Sequence, residues 1–455
     1  MVRGMTKEEK YRQMIETPVN RLIPRLAIPT IISMLVTSIY NMADTFFVSQ
    51  LSTSASGAVG VMFSAMSMIQ AIGFTLGMGS GNHISRSLGN RDEERAGVFA
   101  ATAFYTAAII GVGILAVGTL FSRQLVFFLG ATETIAPYAQ DYARYILIGA
   151  PFMMTSFVMN NILRSQGNAV FAMVGITVGG ILNMILDPLL IFGLDLGISG
   201  AAIATMVSQI ISFCILLYQC NARPDCIKIQ LSKFRPSGKV YGEILHAGLP
   251  SFCRQGLASA AAVILNFAAG PYGDAAIAAM SIVTRFMMFI NSSLIGFGQG
   301  FQPVSAFNYG AGKYSRVREG FWFSIRSSLV VLSISAVAGF FCSGWIIALF
   351  RDDPEVIRVG VRALRAQCLS LFFLPISLCG NMLFQSIGRS GMATFLSMIR
   401  SGIVFIPILW IFSHVFGLLG IQISQVTADI ISAAITLPFV VSFFRSMPED
   451  SAENS

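Results

Sequence analysis

The chain has 455 residues, of which 55% are hydrophobic and 11% charged, and its mean hydropathy is +0.71. A soluble domain carries about 25% charged residues, so this composition excludes one and leaves the bilayer as the solvent. A net charge of +8 would suit nucleic acid, but the placement of the cations argues instead for loops beside lipid headgroups.

The first 20 residues are polar, with no short apolar core before a small-residue cleavage site, so no removable signal peptide is expected. The first span then serves as the insertion signal. Apolar runs near 20 residues mark membrane spans. They are predicted at 24–48, 56–80, 96–121, 137–163, 169–192, 198–220, 243–269, 275–299, 320–344, 357–387, 391–414 and 417–445. The chain therefore reads as an all-α integral membrane protein with twelve transmembrane helices, six per half. Residues 1–220 form the amino-terminal six-helix part and 243–446 the carboxy-terminal one. Between them, 221–242 holds two prolines and five basic residues and reads as a cytoplasmic linker with a short surface-lying helix near 228–234. The acidic tail 447–455 is expected to be disordered.

Basic residues crowd the amino terminus (Arg3, Lys7, Lys10, Arg12, Arg21, Arg25) and return in every second loop. Arg86, Arg91 and Arg95 form one such group; Arg223, Lys228, Lys233, Arg235 and Lys239 a second; Lys313, Arg316 and Arg318 a third. The alternate loops hold little beyond Arg123 and Arg351. Positive-inside asymmetry of this kind puts both termini in the cytoplasm.

The halves are copies. A shift of 221 positions superimposes Pro29 on Pro250, Gly77 on Gly298, Gly79 on Gly300, Gly89 on Gly310, Ser165 on Ser386 and Gly167 on Gly388. The register then drifts by one, so that Gly197 falls on Gly417. Duplicated six-helix units around a midplane cleft are the architecture of many secondary transporters.

An ionisable residue within a span costs about 2.5–3.5 kcal/mol at the helix centre, so each needs a reason. Tyr40, Asn41 and Asp44 are three or four apart and form a polar patch on the first helix. Asn183 and Asp187 are four apart on the fifth, and Asn160 and Asn161 lie near the cytoplasmic end of the fourth. Two carboxylates with carboxamide neighbours in a low-dielectric interior can hold a proton or gather sodium through hard oxygen ligands. Pro188 frees a carbonyl one turn back and bends the helix beside Asp187. The competing role for these groups is a hydrogen bond that joins helices.

The second half carries Arg254, Arg285, Arg400 and Asp429 within its spans, with no acid in the seventh or tenth helix. Arg254 or Arg400 paired with Asp429 reads as a structural salt bridge in preference to contact with an anionic substrate group. The runs GMGSG at 77–81 and GQGFQ at 298–302 end membrane helices, where small residues permit close packing, and there is no GxxxxGK[ST]. Neither nucleotide nor nucleic acid is an expected partner, and an ion gradient must drive any transport. Seven cysteines without paired spacing imply no metal site or disulfide framework. Methionines 62, 66, 68, 153, 154, 287 and 288 permit an adaptable greasy pocket.

The segments IPTIISMLVTSIYNMADTFFVSQL, HISRSLGNRDEERA, QPVSAFNYGAGKYSRV and the NxxxDP run of the fifth helix together resemble the multidrug and toxic compound extrusion (MATE) family, in its DinF-like and MepA-like bacterial branch. The resemblance spans essentially the whole chain. It implies a V-shaped pair of lobes that rock between outward-open and inward-open forms. It further implies export of organic cations or amphipathic toxins in exchange for protons or sodium, with no cofactor. By position, Asp44 matches the family's first-helix acid, and Asn183 and Asp187 match its fifth-helix amide and acid. Asn160 or its neighbour Asn161 matches a fourth-helix member. The second-lobe acids of the NorM-like branch have no counterpart here. The expected setting is a bacterial or archaeal cytoplasmic (inner) membrane, and the default assembly a monomer. The alternative is a flippase for a lipid-linked precursor, a class related through a similar helical unit. A membrane-embedded enzyme is less favoured, because His83, His246 and His414 lie far apart at or near span ends.

Overall fold

The computed structural model describes residues 6–450. Among them there is no β-strand, only helices joined by short turns. Helix is what lipid demands, because each backbone N–H and C=O finds its partner within the same segment. Eleven of the helices are long and apolar enough to cross a membrane, and a bent pair, Pro354–Ser370 with Leu374–Ser386 at 51°, supplies a twelfth. This matches the twelve expected spans.

The first six spans are Val19–Ser49, Thr53–Gly89, Glu93–Leu120, Ala136–Ser165, Ala169–Pro188 and Gly197–Ala222. The fifth passes into a wider π-helical turn at Leu189–Gly193, directly after Pro188. The second six are Gly238–Ala269, Asp274–Gly310, Tyr314–Phe341, the bent pair, a helix broken by a π-turn (Ser390–Met398, Ile399–Ile403, Phe405–Phe416) and Leu418–Arg445. Several helices outrun the expected spans. The second continues from 80 to Gly89 because its polar end is packed on protein, with Ser85 Oγ donating to Ser165 O at 2.6 Å. Hydropathy locates what lipid covers; the helix itself goes on.

The chain divides into two compact units, and the boundary is not the one drawn at 221–242. The first unit comprises 6–17 and 28–248, the second 18–27 and 249–450. Each half therefore lends the start of its first span to the other unit. The packing shows why. In the second unit, a Cβ on Gly300 would overlap the backbone of Ala27. In the first, a Cβ on Gly79 would overlap the Ile244 carbonyl, and one on Gly248 the Thr75 carbonyl. Glycine lets helix backbones meet directly at these points. Gly79 and Gly300 are repeat partners, as are Ala27 and Gly248, so the exchange is reciprocal.

Within the first unit the fourth span is central. It packs on the second, third and sixth spans, and 78% of its apolar window is buried against at most 44% for the other unbent spans. Gly111 lies against Pro151 and Gly77 against Asn161. In the second unit the bent tenth span packs on the eighth, ninth, eleventh and twelfth.

The linker and termini are more ordered than composition suggests. The expected helix near 228–234 shortens to a 3₁₀ turn at Leu231–Lys233. Ahead of it the chain is irregular, with Ile227 and Ile229 buried and Lys228 exposed. Ile227 N donates to Gln166 Oε1 at 2.6 Å, and Arg235 N to Thr102 Oγ1 at 3.3 Å, tying the linker to the first unit. Lys7–Glu16 forms a helix closed by a reciprocal Thr6–Glu9 capping box. Its Lys10 Nζ reaches Gly167 O at 2.9 Å and Asn168 Oδ1 at 2.8 Å. At the other end, Asp450 accepts from Ser315 N at 2.7 Å, so residues 447–450 do not follow the expectation of disorder; 451–455 lie outside the described residues.

Candidate functional site

The fifth span ends NMILDP, and that spacing puts Asn183 and Asp187 one turn apart on one face. Asp187 is 0% exposed. Its Oδ1 accepts from Asn183 Nδ2 at 3.3 Å, and the same amide reaches Thr205 Oγ1 of the sixth span at 3.3 Å. Asp187 Oδ2 and Asn183 Oδ1 are buried without a hydrogen-bond partner, and so is Asp44 Oδ1 on the first span. Asp187 lies near enough to Asp44 to feel its charge. Tyr142 of the fourth span, fully buried, lies near enough to both to feel their charge, and its hydroxyl donates to Met66 Sδ at 3.9 Å. Tyr40, one turn before Asp44, packs on Gly180 of the fifth span.

This is a constellation of oxygens with unused lone pairs and no basic side chain paired to them. An ionised carboxylate buried in that state is heavily penalised unless a proton or a cation compensates it. Asp44, Asp187, Asn183 and Thr205 supply the hard oxygen donors that suit sodium, and either acid suits a proton. No cluster of three His, Cys, Asp or Glu occurs among the described residues, so a transition-metal centre has no ligand set there.

The other sequence candidates lie elsewhere. Asn160 Nδ2 donates to Ala172 O at 3.0 Å, near the opposite end of the fifth span. Asp187 is fifteen residues further on, about 22 Å along the helix. Asn161 Nδ2 returns to Phe157 O at 2.8 Å and its Oδ1 accepts from Arg164. The structure thus puts both amides in helix packing and apart from the carboxylates. Asn41 is half-buried on the flank of its helix, its carbonyl accepting from Thr45 Oγ1 at 2.9 Å. Pro188 is the last α-helical residue before the π-turn.

Sequence reading missed Tyr142 and Thr205. Thr205 had a signal: Thr205, Ser208, Gln209 and Ser212 fall at helical spacing, a polar stripe in an otherwise apolar span. The stripe lines a cavity of about 20 Å³ that also touches Tyr40, Ser156 and Asn183.

The second unit is built differently at corresponding places. Arg400 Nε meets Asp429 Oδ1 at 2.8 Å, and Gln425 Nε2 reaches the same oxygen at 3.2 Å. Arg254 Nη1 donates to Asn381 Oδ1 at 3.2 Å, while Arg285 is exposed on the eighth span. Asn381 repeats Asn160 at the shift of 221, and its Nδ2 binds Ala393 O at 2.5 Å, the counterpart of Ala172. Arg400 stands where the first unit has Gly179. At the drifted shift of 220, Asp429 stands for Gln209 and Gln425 for Thr205.

Residues 29–189 and 250–411 match the model of the family described as MatE, once in each half. A multidrug export protein MepA from Staphylococcus saprophyticus is 26% identical over 448 residues, covering 98% of this chain and 99% of that protein. Among solved structures, the outward-facing conformation of a multidrug resistance MATE family transporter of the MOP superfamily superimposes with a TM-score of 0.91. It is 27% identical, over 96% of this chain and 98% of the other. A MOP superfamily transporter from Pyrococcus furiosus, whose binding pocket of reverse polarity suggests a different function, gives 0.89 at 27% identity with the same coverage.

Proposed function

Because the chain belongs to the MatE family, a family of membrane transporters and not of enzymes, we propose that it is a multidrug efflux antiporter. It exports organic cations or amphipathic toxins across a cytoplasmic membrane in exchange for protons or sodium. Both termini face the cytoplasm in this reading, as the loop charges require.

The observation that carries it is the pair of carboxylates Asp44, half-buried, and Asp187, fully buried, whose buried oxygens Asp44 Oδ1 and Asp187 Oδ2 have no donor. In the outward-facing form an external cation binds there, with Asn183 and Thr205 completing its oxygen shell. Neutralising the acids removes the charge that holds a cationic substrate, which leaves to the exterior. The ion-loaded carrier then turns inward and releases the ion, and the re-exposed negative charge favours the next substrate. Each net charge moved inward gains about 2.3 kcal/mol per 100 mV. A tenfold ion gradient adds about 1.4 kcal/mol per ion.

The test is transport in proteoliposomes with an aromatic cationic dye, imposing a pH gradient or a sodium gradient separately. Either gradient should drive the dye in the parent chain, and Asp44→Asn should abolish that response while leaving the fold intact. Dye still concentrated by Asp44→Asn would sink the proposal. Scrambling of lipid headgroups with no dye movement would put a lipid flippase in its place.

A further inference from the structure

A cavity reaches Asn183, the amide that donates to Asp187, without touching either carboxylate. It begins at Asn183 and Thr205 and extends two turns along the fifth and sixth spans, to Ile176 and Ser212. Its volume, about 20 Å³, accommodates one water. The hydroxyls of Ser156, Ser208 and Ser212 line it, on residues only 1%, 2% and 2% exposed. None of the three has a hydrogen-bond partner. Asn183 Oδ1, at the carboxylate end, has none either.

Helical hydroxyls have an easy way to avoid this. Thr37 Oγ1 turns back to Ser33 O at 2.8 Å and Thr155 Oγ1 to Pro151 O at 2.7 Å. The three serines do not, and each buried hydroxyl left unpaired costs roughly 1–3 kcal/mol. Three of them around one water-sized space make sense if something polar enters it. The second unit differs at this place: it holds the Arg400–Asp429 pair where the first has Gly179 and Gln209, and Ala428 where the first has Ser208, although Ser377 and Ser432, the repeats of Ser156 and Ser212, are also buried without a partner. The first unit keeps a glycine there, whose Cβ would come within 3.0 Å of Ser212 Cβ.

We propose that this cavity is a hydrated relay for the coupling cation, passing it between Asp187 and the cytoplasm through the oxygens of Asn183, Ser208, Ser156 and Ser212. The proposal rests on the ion-coupled reading above. Neutral hydroxyl oxygens suit a relay because a conducting site must bind weakly enough to let go. The carboxylates hold the ion; the serines move it on.

Two experiments on the full-length protein in proteoliposomes test it. In the first, Ser212→Cys puts a thiol in the cavity, and Ag⁺, a thiol-binding monovalent cation, is added on one face at a time. Protection of that thiol from later maleimide labelling is read by mass spectrometry. Ag⁺ from the cytoplasmic face should reach it about tenfold faster than it reaches Cys220, the buried native thiol on the same helix. Access no faster than at Cys220, or only from the outer face, overturns the proposal. In the second, Ser208→Val with Ser212→Val fills the space without oxygens. Ion-driven dye export should fall about tenfold while the external ion concentration for half-maximal rate moves by less than about twofold. Ser208→Thr with Ser212→Thr should recover part of the loss. An unchanged rate in the valine variant, or threonine no better than valine, overturns it. The silver experiment needs no transport, so a dry cavity and a failed antiport reading give different results.

Discussion

The two units are repeats of one pattern, yet they place different partners beside their buried acids. In the first, Asp44 and Asp187 are left without cationic partners beside a cavity with unpaired hydroxyls. In the second, the places of Gly179 and Gln209 are taken by Arg400 and Asp429, which pair at 2.8 Å through Asp429 Oδ1, while Asp429 Oδ2 and the Ser377 and Ser432 hydroxyls stay unpaired. One unit leaves its acids without a basic partner; the other gives its acid one. On the antiport reading proposed above, the duplicated scaffold carries its coupling chemistry in the first copy.

The largest effect that would break this comparison is at Asp187. Asp187→Asn should abolish gradient-driven dye export with little change in thermal unfolding of the detergent-solubilised protein. A variant that transports normally but melts early would make the first unit's acid structural after all. Next comes Asp429→Ala, which strands Arg400. Breaking one partner of a buried pair costs about 3–5 kcal/mol, so unfolding should shift strongly. The paired change Arg400→Met with Asp429→Leu should recover most of that stability and support transport. Loss of transport in the stable double variant would show the second unit to be chemically active.

A smaller contrast separates the repeated asparagines. Asn381 Nδ2 serves Ala393 O and Ser397 Oγ, and its Oδ1 takes Arg254, whereas Asn160 serves Ala172 O. Asn381→Ala should cost about 1–3 kcal/mol, and Asn160→Ala about 1 kcal/mol, without change in ion dependence. A shifted ion half-saturation in Asn160→Ala would return that residue to the coupling site. Smallest of all is the Lys7–Glu93 bridge, whose side chains are about half exposed. Lys7→Ala should cost less than about 1 kcal/mol and less still in high salt, as followed by thermal unfolding.

Much of this was legible in the sequence, for a physical reason. A charge in an apolar run has no cheap explanation, so Asp44, Asp187 and the Arg400–Asp429 pair stood out. Choosing Arg400 over Arg254 needed the geometry, because both lie on apolar helices whose inner faces hydropathy does not mark. Thr205 and the serines below it were written as a stripe, but hydroxyls are so commonly bonded to their own helix that the stripe carried little weight alone. Tyr142 had no signal beyond an aromatic in a span. The exchanged helix starts were hidden as well. Ala27, Gly79, Gly248 and Gly300 look like ordinary small residues until the backbones that they admit are in place.

That exchange bears on how the molecule is made. The second unit's opening segment, 18–27, is synthesised 273 residues before Gly300, against which Ala27 packs. At about 5–20 residues per second, the segment waits roughly 15–55 s for its neighbour. The first unit, for its part, lacks its last packing piece until residue 248 has been synthesised. A chain that ended at residue 222 would hold six complete spans and no complete unit.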